Sequence, residues 1–234
     1  MKVVLTGATG YIGAELLNQL AQHPEVTSVV VLSRRQLQQT PASPKVAVVI
    51  VDDFLNYGPA VLQAIAGAQA CVWCVLGKPW IPNSEVARTV SIGYTMTAAR
   101  AFLAESAAAT TAVAQPGGRQ VFRFVYMNGI AAERDQTKRL WYLGEYRRIR
   151  GQVENELLAL ADANRDVLEA YMMRPGMVTG TAFSVVDLAY KLALPSVGIV
   201  ELAKLTVETA LHGNKEGHTT IDNAEIVAEG RKFL

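Results

Sequence analysis

Short apolar runs rich in β-branched residues recur along this chain, separated by longer stretches whose apolar positions return at helical spacing. The short runs predict strands over 2–6, 28–32, 46–51, 70–76, 121–127 and 168–173, with a last one near 218–221. The longer stretches predict helices over about 11–22, 58–66, 84–108, 137–163, 199–212 and 223–229. The predicted strands are apolar almost throughout, the pattern of strands covered by helices on both faces. Strand and helix taking turns predicts an α/β architecture, a doubly wound parallel sheet of six to seven strands.

The segments PASPK (41–45) and AVAQPGGRQ (112–120) read as surface loops. Neither has the character of an interdomain linker, so residues 1–234 are expected to form a single domain. Its last part, 176–234, mixes apolar stretches with Gly and Pro and is expected to contribute a small substrate-side region.

Composition narrows the partners. The chain has 234 residues, is half hydrophobic and carries a net charge of +1, which argues against nucleic acid or an anionic membrane as the main partner. No apolar stretch approaches the roughly 18 residues of a membrane span, and the N-terminal run is short for a signal peptide. A cytoplasmic protein acting on a small molecule is the expectation. The oligomeric state stays open, a homodimer included. Cys71 and Cys74 spell C-x-x-C, but the segment reads as a buried strand, where residues three apart face opposite ways. With no second cysteine pair or histidine cluster, no metal site is expected.

The chemistry begins at TGATGYIG (6–13), directly after the first strand and at the start of a helix. Gly7 suits a tight turn, Gly10 a close backbone approach to a pyrophosphate, and Gly13 tight helix–strand packing. Helix N-termini favour anions through free N–H groups and the dipole. Thr6, Gly7, Thr9, Gly10, Tyr11, Ile12 and Gly13 therefore form the expected nucleotide cradle of a Rossmann-type fold. The second strand ends in Ser33, Arg34 and Arg35 where an NAD site carries an acid. A guanidinium suits a 2′-phosphate, and one charge-assisted bond, worth about 1.5–3 kcal/mol, gives roughly tenfold to hundredfold preference. NADP(H) is the expected cofactor. VDDF (51–54) offers an aspartate to the adenine amino group, Asp53 ahead of Asp52 with the two not separable by sequence, and Phe54 beside it at the cofactor, although such aspartates also cap turns. Leu76 and Gly77 end the fourth strand where backbone could lie against the adenosine half.

Together with TGATGYIG, VVVLSRR, VDDF and WCVLG, the segments TVSIGYTMTAARAF, YRRIRGQVENEL, MMRPGMVTG and TTIDNAEI run over essentially the whole chain. In that order they resemble an atypical, extended branch of the short-chain dehydrogenase/reductase superfamily. The likeness is to the Tat-interacting oxidoreductase-like group, with NmrA-like proteins and sugar-nucleotide epimerases as more distant relatives. The resemblance implies that Tyr146 matches the catalytic tyrosine, Arg150 its lysine, and Asn128 and Gly129 the segment that usually carries a serine. It also implies that Pro175 and Gly176 turn over the nicotinamide side.

A tyrosine and a cation at i and i+4 share one helix face. Arg150 keeps the charge that favours a phenolate but does not exchange a proton under ordinary conditions. Asn128 could hydrogen-bond a substrate oxygen, or cap a turn. Lys78, Trp80, Met127 and Met177 are expected to wall a substrate pocket. Arg147, Arg148, Lys138 and Arg139, offset by Glu145, Glu154 and Glu156, read as a solvated helix surface. The expected function is an NADP(H)-dependent oxidoreductase for a small carbonyl or alcohol with an altered catalytic set. Two alternatives stay open: a catalytically silent NADP(H)-sensing regulator, and a redox-neutral isomerase, dehydratase or cyclase.

Overall fold

The computed structural model describes residues 1–38, 41–75, 81, 83–112, 121–180 and 194–233. Seven strands form one parallel sheet: β1 (Lys2–Thr6), β2 (Ser28–Ser33), β3 (Val46–Ile50), β4 (Ala70–Trp73), β5 (Phe122–Met127), β6 (Leu168–Arg174) and β9 (Thr220–Asp222). Their order is β3-β2-β1-β4-β5-β6-β9, so the strand order reverses between β1 and β4. Ligands of open α/β sheets bind beyond the strand carboxyl ends at such a reversal.

Helices α1 (Tyr11–Gln22), α2 (Pro59–Ile65), α3 (Ser84–Arg88), α4 (Tyr94–Ala112), α5 (Gly144–Ala163), α6 (Ile199–His212) and α7 (Asn223–Gly230) cover the two faces. The strand alternation sorts the core. Val3, Leu5, Val29, Val31, Val72 and Val125 meet Leu16, Leu20, Leu202 and Ala203 on one face. Val4, Val30, Trp73, Phe122, Phe124 and Tyr126 meet Val61, Phe102, Val153 and Leu157 on the other. The second face thus holds most of the buried aromatic rings, among them Phe102 stacked on Phe122 at 5.1 Å and Phe54 edge-on to Trp73 at 5.7 Å.

Three expectations shift. The helix over 84–108 is interrupted by a π-turn at Thr89–Gly93, a run of poor helix formers ending in a glycine where an added Cβ would lie 3.2 Å from Leu55. The helix over 137–163 begins only at Gly144. Asp135 accepts from the backbone N–H and the hydroxyl of Thr137, and Leu143 adopts a left-handed φ of 47°; both oppose a helix there. β4 ends at Trp73 because the next N–H, of Cys74, donates to the Thr6 hydroxyl at 3.0 Å rather than continuing the ladder.

The region 176–234 divides. β7 (Met177–Thr179) and β8 (Ser196–Gly198) form a separate two-stranded parallel sheet. By contrast, α6 and β9 belong to the main core and sheet. Among the described residues, no helix is long and apolar enough to cross a membrane.

Candidate functional site

The glycine turn carries the first half of the site. Gly7 has φ 72°, and a Cβ there would sit 2.6 Å from the Cys74 carbonyl oxygen. A Cβ on Gly13 would sit 2.1 Å from the Gly7 oxygen, so α1 starts hard against β1 only because residue 13 is glycine. At Gly10 an added Cβ would meet little beyond the Gly7 oxygen at 3.3 Å. The α1 N-terminus has neither a side-chain cap nor an acid in its first turn. Thr9, Gly10 and Tyr11 are exposed around it. Backbone N–H groups in that state suit a pyrophosphate, so the residues present fit a dinucleotide. Thr6 is buried with its hydroxyl held by Cys74, and Ile12 packs on the core; both shape the turn from within.

At the end of β2, the Ser33 hydroxyl donates to the Arg35 carbonyl at 2.7 Å and accepts from the Arg35 N–H at 3.3 Å. This local turn presents Arg34 and Arg35 to solvent. Among the described residues neither makes an ion pair. Asp53 is exposed and accepts from the Leu55 N–H at 2.9 Å through one carboxylate oxygen, Oδ1. Phe54, expected at the cofactor, is only 3% exposed among Tyr57, Trp73 and Tyr94, because an aromatic ring gains more in that core than at the rim. Leu76, Gly77, Lys78 and Trp80 lie outside the described residues.

The second half is centred on α5. Arg150 Nη1 donates to the Tyr146 hydroxyl at 2.7 Å, with the guanidinium carbon 5.2 Å from the ring centroid. Arg150 Nε donates to Asn128 Oδ1 at 2.5 Å, and Asn128 Nδ2 donates to Glu154 Oε1 at 2.6 Å. The asparagine's orientation follows from its neighbours, since a guanidinium only donates and a carboxylate only accepts. Expected as a group reaching a substrate, Asn128 is buried with both ends of its amide committed inside the protein.

Glu154, expected on a solvated surface, is fully buried. It accepts from Arg134 Nε at 2.7 Å, and from Arg174 Nε at 2.8 and 3.1 Å and Arg174 Nη2. Arg134 reaches on to the Thr220 hydroxyl at 2.7 Å. A buried carboxylate needs such partners to offset its desolvation. Gly151 makes room for them: a Cβ there would lie 1.7 Å from the Glu133 carbonyl oxygen, so only glycine lets the 133–134 segment lie on α5. Sequence reasoning passed over Glu154, Arg134 and Gly151, although Tyr146, Arg150 and Glu154 stand at i, i+4 and i+8.

The strand ends close around this network. The Asn128 N–H donates to Met173 O at 2.8 Å, and the Ile130 N–H to Pro175 O at 2.9 Å. Gly176 donates its N–H to Asn223 at 2.8 Å, and a Cβ there would lie 2.0 Å from Pro195 O. Met127, expected on a pocket wall, is fully buried in the aliphatic core because β5 turns that side chain inward; Met177 is 41% exposed. A cavity of about 220 Å³ opens beside the tyrosine, lined by Ile81, Ala87, Ser91, Leu143, Gly144, Glu145, Tyr146 and Ile149. Burial pushes the Cys74 thiol up to about 12 and Cys71 well above its ordinary value, which keeps both protonated and unreactive at neutral pH.

A sequence profile described as NAD(P)H-binding matches residues 7–192. Leucinostatins biosynthesis cluster protein T of Purpureocillium lilacinum is 33% identical over 73 residues, which cover 31% of this chain and 27% of that protein. The yeast methylglyoxal/isovaleraldehyde reductase complexed with NADPH superposes with a TM-score of 0.70 at 15% identity, covering 95% of this chain and 77% of that one. A short chain dehydrogenase from Leptospira borgpetersenii serovar Hardjo-bovis with bound NAD⁺ gives 0.68 at 14%, covering 97% and 92%. At these identities the two structures speak to the fold alone. The profile spans most of the chain, starts on the first glycine of the turn and runs past Tyr146 and the Arg174 strand end. The chain belongs to the NAD(P)H-binding family.

Proposed function

We propose that this protein is an NADP(H)-dependent oxidoreductase that interconverts a compact, uncharged carbonyl compound and its alcohol. The observation that carries the reading is the Arg150 Nη1 bond to the Tyr146 hydroxyl, 2.7 Å long, at the wall of a cavity. The Arg150 cation lies against the phenol oxygen, where it would offset the charge that develops on that atom as its proton moves. Bound at the glycine turn, the dihydronicotinamide would supply the hydride. Tyr146 would hand its proton to the carbonyl oxygen, or take one from the alcohol in the reverse direction. Arg150 would hold the charge that remains, and Pro175 and Gly176 would face the carboxamide.

The cavity supports the substrate class. Its 220 Å³ equals the liquid volume of roughly seven waters, which suits a compact group. Ile81, Ala87, Leu143 and Ile149 give it apolar walls, and Glu145 adds negative charge that disfavours a carboxylate or phosphate. Exposed Arg34 and Arg35 favour a 2′-phosphate over a bare ribose hydroxyl. Titration with NADPH and with NADH, followed by cofactor fluorescence, tests the cofactor. Tighter NADPH binding is expected, and equal affinities would remove the arginine argument. Rates with uncharged aldehydes and ketones then test the chemistry. NADPH binding without turnover across that panel would favour the regulatory alternative.

A further inference from the structure

Asn128 leaves a vacancy in the chemistry. A carbonyl oxygen gaining negative charge is stabilised best by more than one donor, and Asn128 is committed to Arg150 and Glu154. Besides Tyr146, the described residues lining the cavity include one other hydroxyl, that of Ser91. We propose that Ser91 is a catalytic residue whose hydroxyl donates a hydrogen bond to the substrate's carbonyl oxygen alongside Tyr146. The inference rests on the oxidoreductase reading above.

Ser91 is only 5% exposed, and buried polar groups normally have partners. Other buried hydroxyls on helices spend theirs on the preceding turn: Thr95 on Ser91 O at 2.7 Å, Thr206 on Leu202 O at 2.7 Å, and Thr209 on Leu205 O at 2.8 Å. Among the described residues, Ser91 makes no such bond, and its hydroxyl has no protein partner. The reason is local. Ser91 sits in the middle of the π-turn Thr89–Gly93, where the widened backbone departs from the α-helical register. Isolated π-turns inside helices often mark functional sites. This one packs against α5, the helix that carries Tyr146 and Ile149 into the same cavity. A donor held in place with no internal bond to break costs little reorganisation when a substrate arrives.

In the step this implies, the hydride forms a bond to the carbonyl carbon and the carbonyl π pair moves onto oxygen. That oxygen takes the Tyr146 proton. A bound dihydronicotinamide would supply that hydride with its electron pair and be left as the nicotinamide cation, and the carbonyl would become the alcohol. Ser91 keeps its proton throughout, and its hydrogen bond strengthens as charge develops. Arg150 balances the phenolate until it is reprotonated from solvent.

The test uses the full chain as wild type, Ser91→Ala, Ser91→Cys and Tyr146→Phe. NADPH-dependent rates on uncharged aldehydes and ketones are read beside NADPH affinity and Tm. Removing a donor of this kind should lower kcat/KM about a hundredfold, with kcat taking most of the loss. NADPH affinity and Tm should stay at wild-type values. Ser91→Cys, close in shape but a weak donor, should recover little of the rate. If Ser91→Ala retains the wild-type rate while Tyr146→Phe is dead, the Ser91 role is overturned and the oxidoreductase reading stands. If the wild type binds NADPH yet reduces nothing in the panel, both fall. Parallel losses of rate, NADPH affinity and Tm in the two Ser91 variants would show a structural residue and overturn the proposal.

Discussion

The two halves of the carboxyl edge are built by opposite means. At the glycine turn the geometry is backbone, and its donors are left open: an uncapped α1 N-terminus and two exposed arginines without ion pairs among the described residues. Around Tyr146 the geometry is side chain, and the groups are joined to one another: Tyr146 to Arg150, Arg150 to Asn128, Asn128 to Glu154, and Glu154 to Arg134 and Arg174. The first region thus presents open donors and positive charge suited to an anionic ligand. The second has already satisfied its charges internally, leaving Tyr146 and Ser91 facing the cavity. Substitutions of the two exposed arginines should therefore change affinity and leave the fold, whereas those at the second region should change rate or stability.

The largest expected effect is on rate. Tyr146→Phe should lower kcat by roughly a hundred- to ten-thousandfold, the usual worth of a positioned acid or base. NADPH affinity, read by fluorescence titration, should be retained. A variant that still turns over at the wild-type rate would remove Tyr146 from the chemistry. Next comes Glu154→Gln. Removing a buried charge from its partners costs about 3–5 kcal/mol, which for a chain of this size lowers Tm by roughly 6–20 °C. A Tm unchanged in calorimetry would mean that the two arginines do not depend on Glu154.

Replacing Arg34 and Arg35 by alanine should weaken NADPH binding by roughly tenfold to hundredfold while leaving NADH binding nearly alone. Equal losses for both cofactors would show that the arginines do not read the 2′-phosphate. Asn128→Ser and Arg150→Lys form a cycle for the coupled pair. A coupling energy of about 0.5–3 kcal/mol is expected in chemical denaturation, the double variant being less damaged than the sum of the singles. Strict additivity would separate the two departures that the structure joins. The smallest effect touches both halves. Burial pushes Cys74, beside the glycine turn, and Tyr126, beside Arg150, up to about 12 from unfolded values of 9.0 and 10.0. These acids bind their protons more tightly when folded, so stability is complete below the unfolded values and declines as pH climbs towards the folded ones. Tm followed upward from neutral pH should begin to fall near pH 9, the ordinary thiol value, and a Tm flat to pH 12 would contradict the burial of both groups.

Much of the first region was legible in the chain itself. Gly7, Gly10 and Gly13 act through backbone φ and close approach, and Ser33, Arg34 and Arg35 through a turn of adjacent residues. Such features depend on neighbours in sequence, and spacing reports them. Phe54 shows the limit. Its place after the third strand suggested a ligand, but the ring belongs to the aromatic core. Which way a side chain points at a strand end depends on the sheet packed beneath it. Met127 teaches the same lesson, since one step of alternation along β5 decides between cavity and core.

The parallel sheet, the helices that cover it, the glycine turn and the spacing of Tyr146 and Arg150 were readable along the chain, because periodicity and local backbone geometry decide them. Where Asn128, Ser91 and Glu154 sit, and which groups they meet, came from packing between distant segments. The partners of Glu154, at positions 128, 134 and 174, come from three other segments, and nothing local distinguishes a buried glutamate on a helix from a solvated one. Its burial follows from Gly151 admitting the 133–134 segment and from β6 delivering Arg174, both products of chain packing across the sheet.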